Sequence, residues 1–457
     1  MLKKMKVMKK ILFTIVLFSV LSCSEDILDK EPVSSFSAQG FYKTTSDAQA
    51  GVYGIYDAVQ STFRVNFAYW GEGRADAVNT NHSGDPLVLQ QNTLSRTINS
   101  ARWNSIYETI SRANYAIKYI PQVTDGDFGL QLVGQARALR ALSYFYAVRI
   151  WGDVPLITEP YESGEQDLFI KRTDKEAVLD QIVADLQFAV ENCRESYGGA
   201  KDRILITQGG ANALLTKVYM WRKDYQNANE TADKVLNNSL YSLMSINDWS
   251  RIFTTGYTNE SIFEIGYDET QTNALRVLYA LGSDSDYFPS DKFRNSFEDD
   301  DLRKNLIYDI SAEQPRKIWK FFGEGFDDES PEPSSNNIVL IRLADIMLLK
   351  AEALNKLGET QKALELLNVI RKRAGLSELD EAEAIAMYGD VESAILHERL
   401  IELSFEGHRW FDLVRTGRAI DVMQPINGLS DEGNLVWPIH EDALNRNPNL
   451  EQNSFYQ

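Results

Sequence analysis

The segment YWGEGRADAVNTNH mixes flat rings, hydrogen-bonding side chains and glycine, and holds Trp70, Arg74, Asp76 and Asn79. SDSDYFPSD adds Tyr287 and Phe288, with Tyr257 as a weaker contributor. Sugar recognition needs aromatic faces against the C–H faces of a ring. It also needs Asp, Asn or Arg to meet the hydroxyls, because polar groups left unmatched on binding cost affinity. These segments supply both, with Trp70 and Asp76 at the head of the expected platform.

Covalent chemistry finds little material. His397-Glu398 opens like a zinc-protease motif, but no second His follows at helical spacing, and the chain has only four His. No G-x-S-x-G elbow, phosphate loop or full G-x-G-x-x-G occurs; Gly71-x-Gly73 and Gly323-x-Gly325 lack the third Gly. Glycosidase-type carboxylate pairs depend on distances that only a fold supplies. Asp284, Asp286 and Asp291 lack the spacing and Gly of an EF-hand and read as a solvated acidic loop. The expectation is a binding protein, not an enzyme, with no cofactor and no metal.

The elements that must position these residues are helical. Apolar residues recur three and four apart over 101–120, 130–151, 175–193, 209–236, 338–357, 362–374 and 392–413. Strand signals are short, as in Ser261-Ile262-Phe263-Glu264-Ile265. Two stretches resemble each other: KVYMWRKDYQNANETADKVL from Lys217 and KAEALNKLGETQKALELLNVI from Lys350. Each reads as helix, turn, helix, with Ala228 and Ala363 where a tetratricopeptide repeat closes two helices on a small side chain. A single pair cannot bury its apolar face, so neighbours must stack, and 103–114 and 135–151 are further candidates. Residues 68–97, 249–265 and 284–337 lack sustained periodicity and read as irregular, which is where a helical scaffold usually carries its binding surface. Cys193, in the periodic run 178–193, reads as a buried packing residue.

Residues 1–22 have the layout of a removable export signal. Lys3, Lys4, Lys6, Lys9 and Lys10 precede an apolar run over 11–21, and Leu21-Ser22-Cys23 ends it. Cys23 is then the acylated first residue of the mature chain, and two or three acyl chains at ~0.8 kcal/mol per buried CH₂ anchor it firmly. Residues 23–40 form a tether. No later window supplies the roughly 18 apolar residues of a membrane helix. The net charge of −19 becomes −24 once the five leader lysines are gone, which argues against nucleic acid as a partner.

In order along the chain, FYKTTSDAQAGVYGIYDAV, WNSIYETISRANYAI, QARALRALSYFYAVRIWGDVPLI, IRLADIMLLKAEALN and ILHERLIELSFEGHRWFDLVRTG resemble segments of the SusD/RagB outer-membrane lipoproteins. The tail LVWPIHEDALNRNPNLEQNSFY resembles the family's closing segments, with His440 where Pro is usual. The resemblance implies a mostly α, SusD-like fold over 41–457, with several TPR-like helix pairs and an irregular ligand-binding half whose main insertion runs about 245–337. It implies cell-surface capture of oligosaccharide and its delivery to a SusC-like TonB-dependent β-barrel. Family ligand contacts often come from regions corresponding to 70–79 and to the central insertion. Ser24-Glu25-Asp26 resembles the acidic signal that places such lipoproteins on the outer face of the outer membrane. Peptide capture by a RagB-like member is the nearest alternative, and a TPR-type assembly scaffold a more distant one. In 398–417, Leu400, Ile401, Phe405, Trp410 and Phe411 read as a packed hairpin, with Arg399, Arg409 and Arg415 satisfying buried carboxylates or helix ends.

Overall fold

The computed structural model describes residues 38–311, 316–326 and 334–457. The leader, Cys23 and nearly all of the tether lie outside the described residues. The longer helices are α1 Thr45–Gly71, α2 Asn104–Val123, α3 Gly126–Trp151, α4 Lys175–Asn192, α5 Gln208–Arg222 and α6 Tyr225–Leu236. After the irregular stretch come α7 Leu343–Lys356, α8 Thr360–Arg373, α9 Glu381–Tyr388, α10 Val391–Glu402, α11 Arg409–Arg415 and α12 Ala419–Asn427. Their starts are written locally. Thr44 and Asp47 form a capping box on α1, as do Asp380 and Glu383 on α9. Asp174, Thr207, Asp224 and Asp390 cap α4, α5, α6 and α10 through their side-chain oxygens.

Helices α1 to α8 pack as a run in which each touches its successor, the arrangement of stacked helix pairs. The repeat-like stretches are the pairs α5/α6 and α7/α8, and α6 lies on α7, joining them across about a hundred residues of sequence. Ala228 and Ala363 are fully buried at these crossings, where a larger side chain would hold the helices apart. Helices α2 and α3 form a further pair.

Among the described residues, four short strands make two antiparallel ribbons: β1 Val78–Asn79 with β3 Phe288–Pro289, and β2 Ser261–Ile265 with β4 Ile338–Arg342. The helix expected over 338–357 is therefore shorter. Its first five residues, four of them Ile, Val or Leu, form β4 against β2, where β-branched side chains suit a ribbon buried along its length. The 392–413 stretch likewise divides into α10 and α11 around 403–408, where Phe405 takes a left-handed φ of 66°. The expected irregular zone begins later than 68, because α1 continues to Gly71.

One apolar cluster runs from Tyr42 to Ile439. A charge network is buried beside it. Arg342 donates to Glu260, Glu402 and Glu406 at 2.5–2.8 Å; Arg303 donates to Asp301, Glu398 and Glu402; Lys320 donates to Glu406. These side chains are almost entirely excluded from solvent.

Candidate functional site

The β1–β3 ribbon pairs Asn79 with Phe288 and Val78 with Pro289. Ser290 anchors it, its N–H donating to the Ala77 carbonyl and its hydroxyl to the Asp76 carbonyl. Two segments far apart in sequence thus meet at one surface. Asn79 and Phe288 are half-buried there. The Arg316 guanidinium stacks on the Phe288 ring at 4.4 Å. Tyr69 donates its hydroxyl to Asp286 Oδ2 at 2.9 Å, and Nδ1 of the half-buried His82 lies 3.8 Å from Asp286 Oδ1. Gln90 donates to Asn79 Oδ1 at 3.1 Å, fixing that amide's orientation. Burial raises the Asp286 carboxyl above its ordinary value, and the Tyr69 hydrogen bond partly offsets this. The result is a half-exposed aromatic ring bordered by an amide, an imidazole, a carboxylate and a guanidinium. That arrangement can bind a polar ring by stacking on one face and hydrogen bonding at its edge.

The other expected platform residues are structural. Trp70 is fully buried, packed among Phe63, Tyr146 and Trp151, and its Nε1–H donates to the Ser100 carbonyl. It sits on α1, on the same stripe as Phe63 and Phe67, so its ring turns into the core. Arg74 is fully buried over Trp410 at 4.1 Å and donates to Asn92 and to the carbonyls of Asn434 and Leu435. Asp76, 3% exposed, is taken by Arg409 at 2.8 and 3.0 Å and by Lys292 at 2.9 Å. Burial acts to raise its carboxyl, and the two cations hold it well below the usual range. Tyr287 is fully buried edge-on to Tyr69. Tyr257 is 42% exposed but lies by Glu264, to which its N–H donates, and not at the ribbon. Among the three acids expected as a solvated loop, Asp286 is buried while Asp284 is exposed and Asp291 pairs with Arg294. Tyr69, His82, Asp286 and Arg316 were not anticipated. All four needed the fold: with 68–97 read as irregular, no helical phase was available to choose Tyr69 over Trp70.

The zinc-like pair is accounted for: His397 packs on the Tyr388 ring at 4.8 Å and Glu398 holds Arg303. Cys193 is buried, and burial pushes its thiol up to about 12. Arg399 binds Asp345 and Asp412, Arg409 binds Asp76, and Arg415 binds Glu352, so these arginines do satisfy buried carboxylates.

Behind the ribbon, Glu72 Oε1 accepts the N–H groups of Gly407 and His408 at 2.9 and 3.1 Å. Burial pushes its carboxyl up to about 8. A carboxyl raised on folding gives stability that is complete below its unfolded value, near 4.5, and is lost as pH rises through 8. Glu72→Gln keeps the accepting oxygen and removes the titration. From pH 5 to pH 7 the stability of the variant relative to the parent is expected to rise by about 2 kcal/mol. Urea titrations at the two pH values check this, and an unchanged difference would contradict a neutral Glu72.

Among the described residues, no helix is long and apolar enough to cross a membrane. The family model described as "SusD family" matches residues 313–456. The model described as "Starch-binding associating with outer membrane" matches residues 29–220. "SusD-like protein P38" of Formosa agariphila is 32% identical over the full length of both chains. A crystal structure of a SusD homolog from Bacteroides thetaiotaomicron is 28% identical with TM-score 0.78, covering 93% of this chain and 100% of that one. A "Laminarin binding SusD-like protein" is 26% identical with TM-score 0.78, covering 91% and 100%. A relative of that identity matched end to end, on a helical-pair fold shared with these structures, places the chain in the SusD family.

Proposed function

We propose that the protein captures oligosaccharide at the cell surface, at the β1–β3 ribbon, and passes it to a SusC-like TonB-dependent β-barrel in the outer membrane. The observation that carries this reading is the pairing of Asn79 with Phe288, which sets a half-exposed ring amid Tyr69, His82, Asp286 and Arg316. Similarity to a laminarin-binding family member supports a glycan as ligand. In this reading residues 1–22 are removed and Cys23 carries the lipid that holds the protein on the outer membrane, facing outward. Residues 41–457 form the binding unit. Capture and release need no covalent step, so the function requires neither catalysis nor a cofactor.

Calorimetric titration with laminarin oligosaccharides and a polysaccharide panel tests this. Phe288→Ala removes the stacking face and is expected to weaken binding about tenfold to a hundredfold, with the circular dichroism spectrum unchanged. Binding of peptide pools and of no glycan would replace this reading with peptide capture. Glycan affinity unaltered in Phe288→Ala would move the site off the ribbon.

A further inference from the structure

A second cleft, of about 320 Å³, opens on the flank of α1 away from the ribbon. Its floor is apolar and aromatic: Tyr56 and Phe263, with Ile204, Leu205 and Ile265. The Tyr56 hydroxyl is already engaged, donating to Gln135 and accepting from the Ile206 N–H, so toward the cleft this residue offers only its ring. Tyr53 stands at the rim, 45% exposed. Tyr257 is close by, its hydroxyl 3.9 Å from where a Cβ on the lining residue Gly266 would lie.

Each polar side chain on this rim keeps an atom not engaged among the described residues. Gln60 uses its Nε2 on the Gly266 carbonyl. Asp57 uses Oδ2 on Arg112. Among the described residues, the side chains of Lys201 and Gln271 make no ion pair or hydrogen bond, and both are exposed. One ammonium, two amides and one carboxylate therefore border a floor of rings. Such a set presents donors and acceptors around a surface that rewards C–H contact, which is the chemistry of a sugar ring, and the volume suits a ring-sized ligand. Along the helix axis Gln60 lies about 14 Å and Tyr53 about 24 Å from Tyr69, at 1.5 Å rise per residue. No single ring spans both places.

We propose that this cleft is a second, independent sugar-binding site, taking one ring of a glycan between Tyr53 and the Lys201–Leu205 edge. The proposal rests on the glycan-capture reading above. Two separated sites on one rigid helix let a long chain engage twice, and the second contact forms at high effective concentration.

Saturation-transfer NMR tests it with the methyl glycosides of glucose, galactose, mannose, xylose, fucose and glucuronic acid. At least one glycoside is expected to show a signal that falls at least fivefold in Tyr53→Ala and in Lys201→Ala and persists in Phe288→Ala. Tyr53 and Lys201 are exposed, so both variants should keep the parent circular dichroism spectrum, and Tyr53→Phe should keep the signal. The proposal is overturned if no glycoside gives a signal or if the signal survives Tyr53→Ala. Loss in Phe288→Ala alone, or equally in all variants, also overturns it, by assigning the binding to the ribbon. The ribbon reading is tested separately by the oligosaccharide titration, so the two failures are distinguishable.

Discussion

Gly71→Ala is expected to lower the free energy of unfolding by more than about 3 kcal/mol, while Gly54→Ala on the same helix raises it by roughly 0.5–1 kcal/mol. A Cβ on Gly71 would lie 2.0 Å from the Gly407 carbonyl oxygen and 2.4 Å from its carbon. Both are backbone atoms that no rotamer change can clear. Gly407 is equally constrained, with φ of 82° and a would-be Cβ 2.7 Å from the Phe67 oxygen. Parting the two segments also pulls Gly407 and His408 off Glu72 and loosens the turn that leads from α1 into β1. A Cβ on Gly54 would meet no described atom beyond its own helix within 4 Å, so alanine there only removes the backbone entropy cost of glycine. Urea titration of both variants measures the pair. A Gly71→Ala protein as stable as the parent would show that the two backbones do not touch as described.

The second large effect is expected at Arg342. Arg342→Met leaves Glu260, Glu402 and Glu406 buried without their shared guanidinium, and stability should fall by about 3–5 kcal/mol. Arg342→Lys should recover only part of this, because an ammonium cannot reproduce the fork that meets both Glu406 oxygens. Arg251→Ala, which breaks an exposed pair with Asp248, is the control and should change stability by less than about 1 kcal/mol. Thermal and urea unfolding of the three variants decide it; equal effects at Arg342 and Arg251 would sink the argument. The network also reaches the candidate site. Lys320 donates to Glu406 and to the carbonyls of Glu402 and Ser404. This fixes the 316–320 segment that lays Arg316 on Phe288.

Helices α4, α5, α6 and α10 were legible because apolar spacing and the caps Asp174, Thr207, Asp224 and Asp390 are both local. Helices α1 and α9 carry capping boxes but fall outside the periodic runs read from the sequence. The division of 338–357 into β4 and α7 was not legible. A run of Ile and Leu fits either element until a partner strand is known, and β2 lies more than seventy residues away. The candidate site was half legible. The sequence marked the two segments that meet, but within them it chose the largest ring and the strongest charges. Trp70, Arg74, Asp76 and Tyr287 are the residues the fold needs inside, since rings that size stabilise most when buried and buried charges are taken by partners.

By itself the sequence determined the helical class and the repeat-like pairs closing on Ala228 and Ala363, which follow from short-range periodicity, and its segments carried the resemblance to the family. It left Arg399, Arg409 and Arg415 to buried carboxylates or helix ends, and the fold chose the carboxylates. Only the tertiary structure decided which of the adjacent rings Tyr69 and Trp70 faces outward. The reason is the phase of α1: Val52, Ile55, Val59, Phe63, Phe67 and Trp70 share its buried stripe, and Tyr69 falls off that stripe. Only the tertiary structure brought Asn79 against Phe288, because that contact depends on Asp76 and Ser290 meeting across 214 residues. Such a contact is set by how the intervening helices stack, and no local signal records where a stack will return the chain.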